Sequence, residues 1–259
     1  MDRPAPDLSM VVPTYNERDR LAELVEAVFS AAAAHGVSLE LVIVDDNSPD
    51  GTGALADELA TRHRLTVLHR AGKLGLGTAV VEGFRAASAG VVGVMDADFS
   101  HPPALVPVML KAFRATRADL LVASRYIPGG STPTWPFRRR LLSQAACLLA
   151  RPLSPIRDAT SGFFLIRRSV ADTVTIKAGG FKICLELLVR GAPARLVELP
   201  FRFDDREIGE SKMSMREAAG YLVQLKDLYR LRWTRQPPAS RHYERLTLED
   251  VERLAGAAP

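Results

Sequence analysis

The stretch Val91–Pro103, VVGVMDADFSHPP, decides how the chain reads. Val91 to Met95 is an apolar run of strand length, and it breaks at once into Asp96 and Asp98 and a turn closed by Pro102 and Pro103. Side chains alternate along extended backbone, so the two carboxylates point to one side, where one hard divalent cation fits between them. Mg²⁺ and Mn²⁺ favour such a site, with few carboxylates and a shell completed by water and phosphate oxygens. Two acids at the carboxyl end of a core strand therefore suggest a metal-bound nucleotide diphosphate. The alternative at this point is a plain helix start, with Asp98 or Ser100 capping the helix that follows.

Outward from this stretch the same unit recurs. Leu8–Pro13 is an apolar run ending in PTYNE (Pro13 to Glu17), and Leu21, Leu24, Val25, Val28 and Phe29 then share one helical face. Leu39–Val44 breaks into DDNSPDGTG, Asp45 to Gly53, ahead of a helix over Ala54–Arg62. Leu65–Leu68 precedes HRAGKLGLGTA and a helix through Phe84; after the DAD strand come a helix over Ala104–Arg117 and a strand over Leu120–Ser124. Strands alternating with helices of this length predict an α/β fold, a mostly parallel sheet with the ligand site at the carboxyl ends of its strands. Each polar loop lies at such an end. Singly they are weak. GKLGLG has neither the Walker nor the dinucleotide-fold spacing and also reads as a turn before a helix, while Asp45 and Asp46 suit a base and ribose or simply start the turn through Asn47–Gly51.

The totals bound the class. With 259 residues, 47% hydrophobic and 25% charged, the chain has the composition of a soluble globular protein. Cys147 and Cys184 lack metal-ligand spacing and suit small buried thiols in a reducing cytoplasm. The opening MDRPAPD does not read as an export signal, and no charge-free run reaches the roughly 20 residues of a membrane span. A net charge of +4 and a pI near 9.3 favour anionic partners. No recognition-helix, zinc or aromatic-platform signature accompanies them, so a nucleic-acid partner is not expected.

Taken together, PTYNE, VDDNSPDGT, GKLGLGTA and DADFSHPP resemble the inverting family 2 glycosyltransferases of the GT-A fold. ASRYIPGG (Ala123–Gly130), DATSGFFLIRR (Asp158–Arg168), GGFKICLELL (Gly179–Leu188) and REIGESKMS (Arg206–Ser214) narrow the resemblance to the polyprenyl-phosphate, or dolichol-phosphate, mannose synthases. The resemblance implies a GT-A, Rossmann-like nucleotide-diphospho-sugar transferase domain. It also implies transfer of mannose from GDP-mannose to a polyprenyl phosphate with inversion. Asp96 and Asp98 would then hold Mg²⁺ or Mn²⁺ on the diphosphate. Pro13, Tyr15, Glu17, Asp45, Asp46, Lys73 and Ala97 would line the donor pocket, and Arg125 would face the phosphates. Arg206, Ser211 and Lys212 would clamp the acceptor phosphate, with Lys182 either on substrate phosphate or snorkelling at the surface. Ser100 stands where relatives carry glutamine. A phosphate nucleophile is already ionised near neutral pH, so no general base is required, and no Ser-His-Asp or Cys-His set is found. A UDP-glucose-dependent relative, a transferase with a soluble acceptor, and a non-catalytic nucleotide-sugar-binding subunit are the competing readings.

A lipid acceptor calls for membrane contact. Phe137–Leu153 and Met213–Trp233 set basic residues beside apolar helical runs, the pattern of a helix lying on an anionic bilayer or packing a stripe on the core. These helices, or a separate membrane subunit, would hold the protein peripherally at the cytoplasmic face. The expected organisation is a catalytic domain over residues 1–233, then a linker and a short charged helix over 234–259.

Overall fold

The computed structural model describes residues 4–175, 182–204, 215–234 and 241–256. In chain order these form β1 (Leu8–Thr14), α1 (Arg18–Ala34), β2 (Leu39–Asp45), α2 (Thr52–Ala60), β3 (Leu65–His69), α3 (Leu76–Ala86), β4 (Val91–Val94), α4 (Leu105–Ala115) and β5 (Leu120–Ser124). There follow α5 (Phe137–Ala150), β6 (Phe164–Arg167), α6 (Arg168–Ala171), α7 (Ile183–Arg190), β7 (Arg195–Pro200), α8 (Met215–Thr234), β8 (His242–Arg245) and α9 (Leu248–Gly256).

The strands make one eight-stranded sheet in the order β3-β2-β1-β4-β6-β5-β7-β8. All pairings are parallel except those of β6, which runs antiparallel to both β4 and β5. Alternation along the strands supplies both faces: Leu8, Met10, Val12, Leu41 and Ile43 pack with Leu21, Leu24, Val28 and Met109 on one side. Val11, Val42 and Val44 pack with Val80, Phe84, Leu185 and Leu225 on the other. Near-continuous apolar strands are what a sheet covered on both faces requires. The α3 helix comes very close to β1. A Cβ on Gly83 would lie 2.3 Å from a methyl of Val11, so only glycine fits there.

The expected mostly parallel α/β sheet is observed, with two additions. The FFLIR run of β6 inserts between β4 and β5. Because it runs against them, its entry segment, 158–162, arrives at the edge where the parallel strands end. And His242–Arg245, in the stretch expected as linker, pairs with β7 as an eighth strand before α9 packs over α4. Its polar four-residue sequence, HYER, carries no strand alternation of its own; pairing to a neighbour creates it.

Candidate active site

Four loops meet at the carboxyl edge of the sheet, and side-chain to backbone bonds tie those after β1 and β2 to each other. The N–H groups of Asn16 and Glu17 donate to Ser48 Oγ and Thr52 Oγ1, both at 3.0 Å, and that of Arg18 to Asp50 Oδ2 at 3.2 Å. Asp45 is buried and engaged within this knot, accepting from Thr14 Oγ1 and Ser48 N at 3.0 Å each and from Ser48 Oγ. Its carboxylate orders the loop. Asp46 pairs with buried Arg70, which also reaches Thr78 Oγ1, the Gly75 carbonyl at 3.3 Å and Glu82 at 3.3 Å. Arg70 therefore fastens the GKLGLG loop to the end of β2. Lys73 Nζ sits 3.9 Å over the exposed Tyr15 ring, and Pro13, in β1, is partly buried.

At the end of β4, Asp98 Oδ1 accepts from Ser100 N at 3.1 Å and from Ser100 Oγ at 2.6 Å. Ser100, 2% exposed, is thus a support for Asp98. Asp96 is more open. Its N–H donates to His101 Nδ1 at 2.9 Å, which puts the proton of a neutral His101 on Nε2, 3.8 Å from Asp96 Oδ2. The His101 ring is stacked on Phe163 at 4.8 Å, and burial pushes its pKa down against the pull of Asp96 and Asp98. Ala97 between the acids is buried. Gly162, at the entry of β6, lies beside this pair: a Cβ there would be 3.7 Å from Asp96 Oδ1.

Across from the acids is Arg125, one residue past β5. Asp158 grips it by Nε and Nη2, both at 2.7 Å, and accepts its backbone N–H at 3.0 Å. Burial pushes the Asp158 carboxyl up, but the Arg125 charge and bonds outweigh it and hold the pKa below the usual 3.8. Trp135 lies 5.2 Å from the Arg125 guanidinium and 4.1 Å from that of Arg139. Lys182 is partly buried at the N-cap of α7. Its ammonium is pushed below an ordinary lysine by burial and by Arg125, with Asp158, Cys147 and Asp96 pulling the other way. The Cys147 thiol is pushed up to about 12 by burial and by Asp158, so it is inert. A cavity of about 550 Å³ opens beside Arg125, bounded by Tyr126, Gln144, Leu148, Arg151 and Arg157.

The profile of glycosyl transferase family 2 matches residues 9–175. The chain belongs to this family. It is 40% identical over 228 residues to a dolichol-phosphate mannosyltransferase of Pyrococcus furiosus, covering 86% of this chain and 63% of that protein. It is 41% identical over 226 residues to a polyprenol monophosphomannose synthase of Mycolicibacterium smegmatis, covering 82% of this chain and 83% of that one. Among solved structures, a mannosyltransferase of Pyrobaculum calidifontis in complex with GDP-Man and Mn²⁺ superposes with TM-score 0.61. It has 19% identity and covers 88% of this chain and 65% of that one. The fold is thus that of the GT-A neighbours of family 2.

The solved neighbour is in complex with Mn²⁺, and in this chain Asp96 and Asp98 are the acids that would fit a cation. Among the described residues no cluster of three or more His, Cys, Asp or Glu forms a closed cage. Asp96 and Asp98 are two hard oxygen donors, one open to solvent and one buried, which suits a cation that keeps places for water and diphosphate oxygens. Arg206, Ser211 and Lys212 lie outside the described residues. His101, Arg70, Trp135, Arg139 and the role of Asp158 as the partner of Arg125 were not read from the sequence. The signals available were slight: His101 follows DADFS directly, and Arg70 stands two residues before the glycine-lysine loop.

Proposed function

We propose that this chain transfers mannose from GDP-mannose to the phosphate of a polyprenol, with inversion at the anomeric carbon. Supporting this reading are the activities named for its roughly 40%-identical relatives. The observation that carries it is the placement of Asp96 and Asp98 past the end of β4 and of Arg125 past the end of β5, joined by one segment, 158–162, whose Gly162 lies beside Asp96 and whose Asp158 grips Arg125. Two acids and a cation gathered at one edge suit a nucleoside diphosphate meeting a second phosphate.

A divalent ion held by Asp96 and Asp98, Mg²⁺ or Mn²⁺, would supply positive charge to the departing diphosphate. The protein does the rest by placement. The Tyr15 and Lys73 pair, Pro13, Glu17 and the Asp46–Arg70 ion pair would shape the nucleotide pocket, with Asp45 setting the loop. Among the described residues nothing bonds Arg125 Nη1, which leaves that edge for an anion, since Nε and Nη2 are held by Asp158. An acceptor phosphate oxygen attacks the anomeric carbon opposite the diphosphate; the new carbon–oxygen bond forms as the bond to GDP breaks. The nucleophile is already an anion, so positioning and charge suffice. Lys182 would approach the same phosphates, and the family resemblance assigns Arg206, Ser211 and Lys212 to the acceptor side.

The acceptor's lipid favours a place at a bilayer. Helix α5 buries only Cys147 and Ala150 and exposes Phe137, Leu141, Leu142, Leu148 and Leu149 behind Arg138–Arg140. It lies against α8, where Tyr221 and Tyr229 donate to the Ala146 and Leu149 carbonyls, and α8 exposes Leu222, Val223 and Trp233. Such an apolar patch with basic flanks suits the surface of an anionic membrane, on the cytoplasmic side, or a small membrane subunit that covers it. Among the described residues no helix is long and apolar enough to cross a membrane.

The test is transfer of label from GDP-mannose and, in parallel, UDP-glucose to a short polyprenyl phosphate with Mg²⁺ or Mn²⁺, with Asp98→Ala as control. Metal-dependent mannolipid that vanishes in the variant supports the reading. Glucolipid alone keeps the mechanism and changes the donor. Folded protein that gives neither product overturns it.

A further inference from the structure

Glu198 is a carboxylate where β7 calls for an apolar side chain. By alternation it shares a face with Leu196, and it is fully buried. A charge at such a depth needs compensation, yet among the described residues no cation pairs with it. Its oxygens are instead occupied by hydrogen-bond donors from two directions. Oε1 accepts the Asp158 N–H at 3.0 Å, and Oε2 accepts the Arg157 N–H at 2.9 Å together with the Tyr243 hydroxyl.

The two directions are functionally unequal. The Arg157–Asp158 backbone carries the carboxylate that grips Arg125 through three bonds. Tyr243 belongs to β8, the added strand of the C-terminal segment, whose register on β7 sets Val197 against Glu244 and Glu198 against Arg245. The same segment also reaches the loop after Arg125. A Cβ on Gly129, whose φ is +91°, would lie 2.6 Å from Leu248 at the start of α9. Leu246, Val251 and Leu254 anchor that helix in the core beneath.

We infer that Glu198 and Tyr243 are positioning residues for Arg125, and that the C-terminal strand and helix set the geometry of the anion-facing guanidinium. The path runs from the Tyr243 hydroxyl to the Glu198 carboxylate, to the Asp158 backbone, and from the Asp158 carboxylate to Arg125. Asp158 thereby has its main chain and side chain fixed separately. Its side chain is oriented by Arg125, and its backbone is held from below by Glu198. This rests on the reading of Arg125 as a phosphate-facing cation.

The test uses the full chain with Tyr243→Phe, which removes one hydroxyl and keeps the ring, and Glu198→Gln. In each variant the Arg125 Nε–H resonance is followed by NMR, assigned by its loss in Arg125→Lys, alongside donor Kd and turnover of a short polyprenyl phosphate. Tyr243→Phe is expected to shift or broaden that resonance. It should also lower kcat/KM for the lipid phosphate by roughly tenfold, the scale of one hydrogen bond to a charged group, with any weakening of donor Kd no larger than that. In an Arg125→Lys background the Tyr243→Phe loss should disappear, because the effect travels through the missing guanidinium. An Arg125 resonance unmoved in both variants, or a Tyr243→Phe loss that adds in full to Arg125→Lys, overturns the inference. A wild-type protein that transfers nothing to lipid phosphate refutes the proposed activity instead, and the resonance still decides the positioning role.

Discussion

Asp158 shows how much one side chain carries at this edge. It is fully buried, and its charge is tolerated because Arg125 meets it at two atoms. Removing one member of such a pair costs about 3 kcal/mol or more, since the partner is left uncompensated. Asp158→Asn should lower unfolding free energy by about that much at pH 7. The sign of the pH dependence follows from a depressed carboxyl: the stabilisation is present above the ordinary 3.8 and fades as pH falls through the lower folded value. Urea unfolding at pH 7 and pH 3 should therefore show the wild-type advantage shrinking at the acid end. Ser100 offers a second case. Its hydroxyl holds one Asp98 oxygen, so Ser100→Ala should raise the Mn²⁺ concentration for half-maximal transfer by about tenfold, the usual effect of losing a support behind a metal ligand. A metal titration of initial rates checks this.

Among the elements, α3 and α5 illustrate opposite relations to the core. Gly83 lets α3 lie directly on Val11, so Gly83→Val forces overlap and should cost about 2 kcal/mol, read as a lower unfolding midpoint. Helix α5, in contrast, spends little of its apolar surface on the protein. Replacing exposed Leu141 and Leu148 by Glu should leave the unfolding midpoint unchanged and weaken binding to anionic vesicles by at least about tenfold, measured by flotation. Unchanged flotation would move the membrane contact elsewhere. Strand β6 matters through its direction. An antiparallel insertion turns a loop that would otherwise sit at the opposite edge into a wall of the site, which is how Gly162 and Asp158 come to face Asp96 and Arg125.

For the whole molecule, the proposed cation site and the core are separate. Both cores are apolar and, among the described residues, hold no metal cluster. Chelation should therefore stop transfer without unfolding the protein. GDP with Mn²⁺ at about a hundred times Kd should raise Tm by about 5–10 °C, from the ~2.7 kcal/mol that saturation adds and the shift expected of a chain this size. Calorimetry with EDTA and with GDP and Mn²⁺ separates the two effects; a large loss of Tm with EDTA alone would make the ion structural.

The period of the apolar runs determined the alternating strands and helices from β1 to β5, because burial on both faces of a parallel sheet leaves a local signature in each run. The polar loops at the strand ends, and the order of the motifs, determined the family. Local pattern could not supply the partners of the loops. Asp158 and Arg125 are 33 residues apart, and Glu198 and Tyr243 are 45 apart. Which carboxylate meets which guanidinium was decided only when β6 reversed direction and β8 paired with β7. The polar HYER strand and the buried Glu198 both break the local rule for their element, and each is stabilised by contacts that exist only after the sheet is assembled.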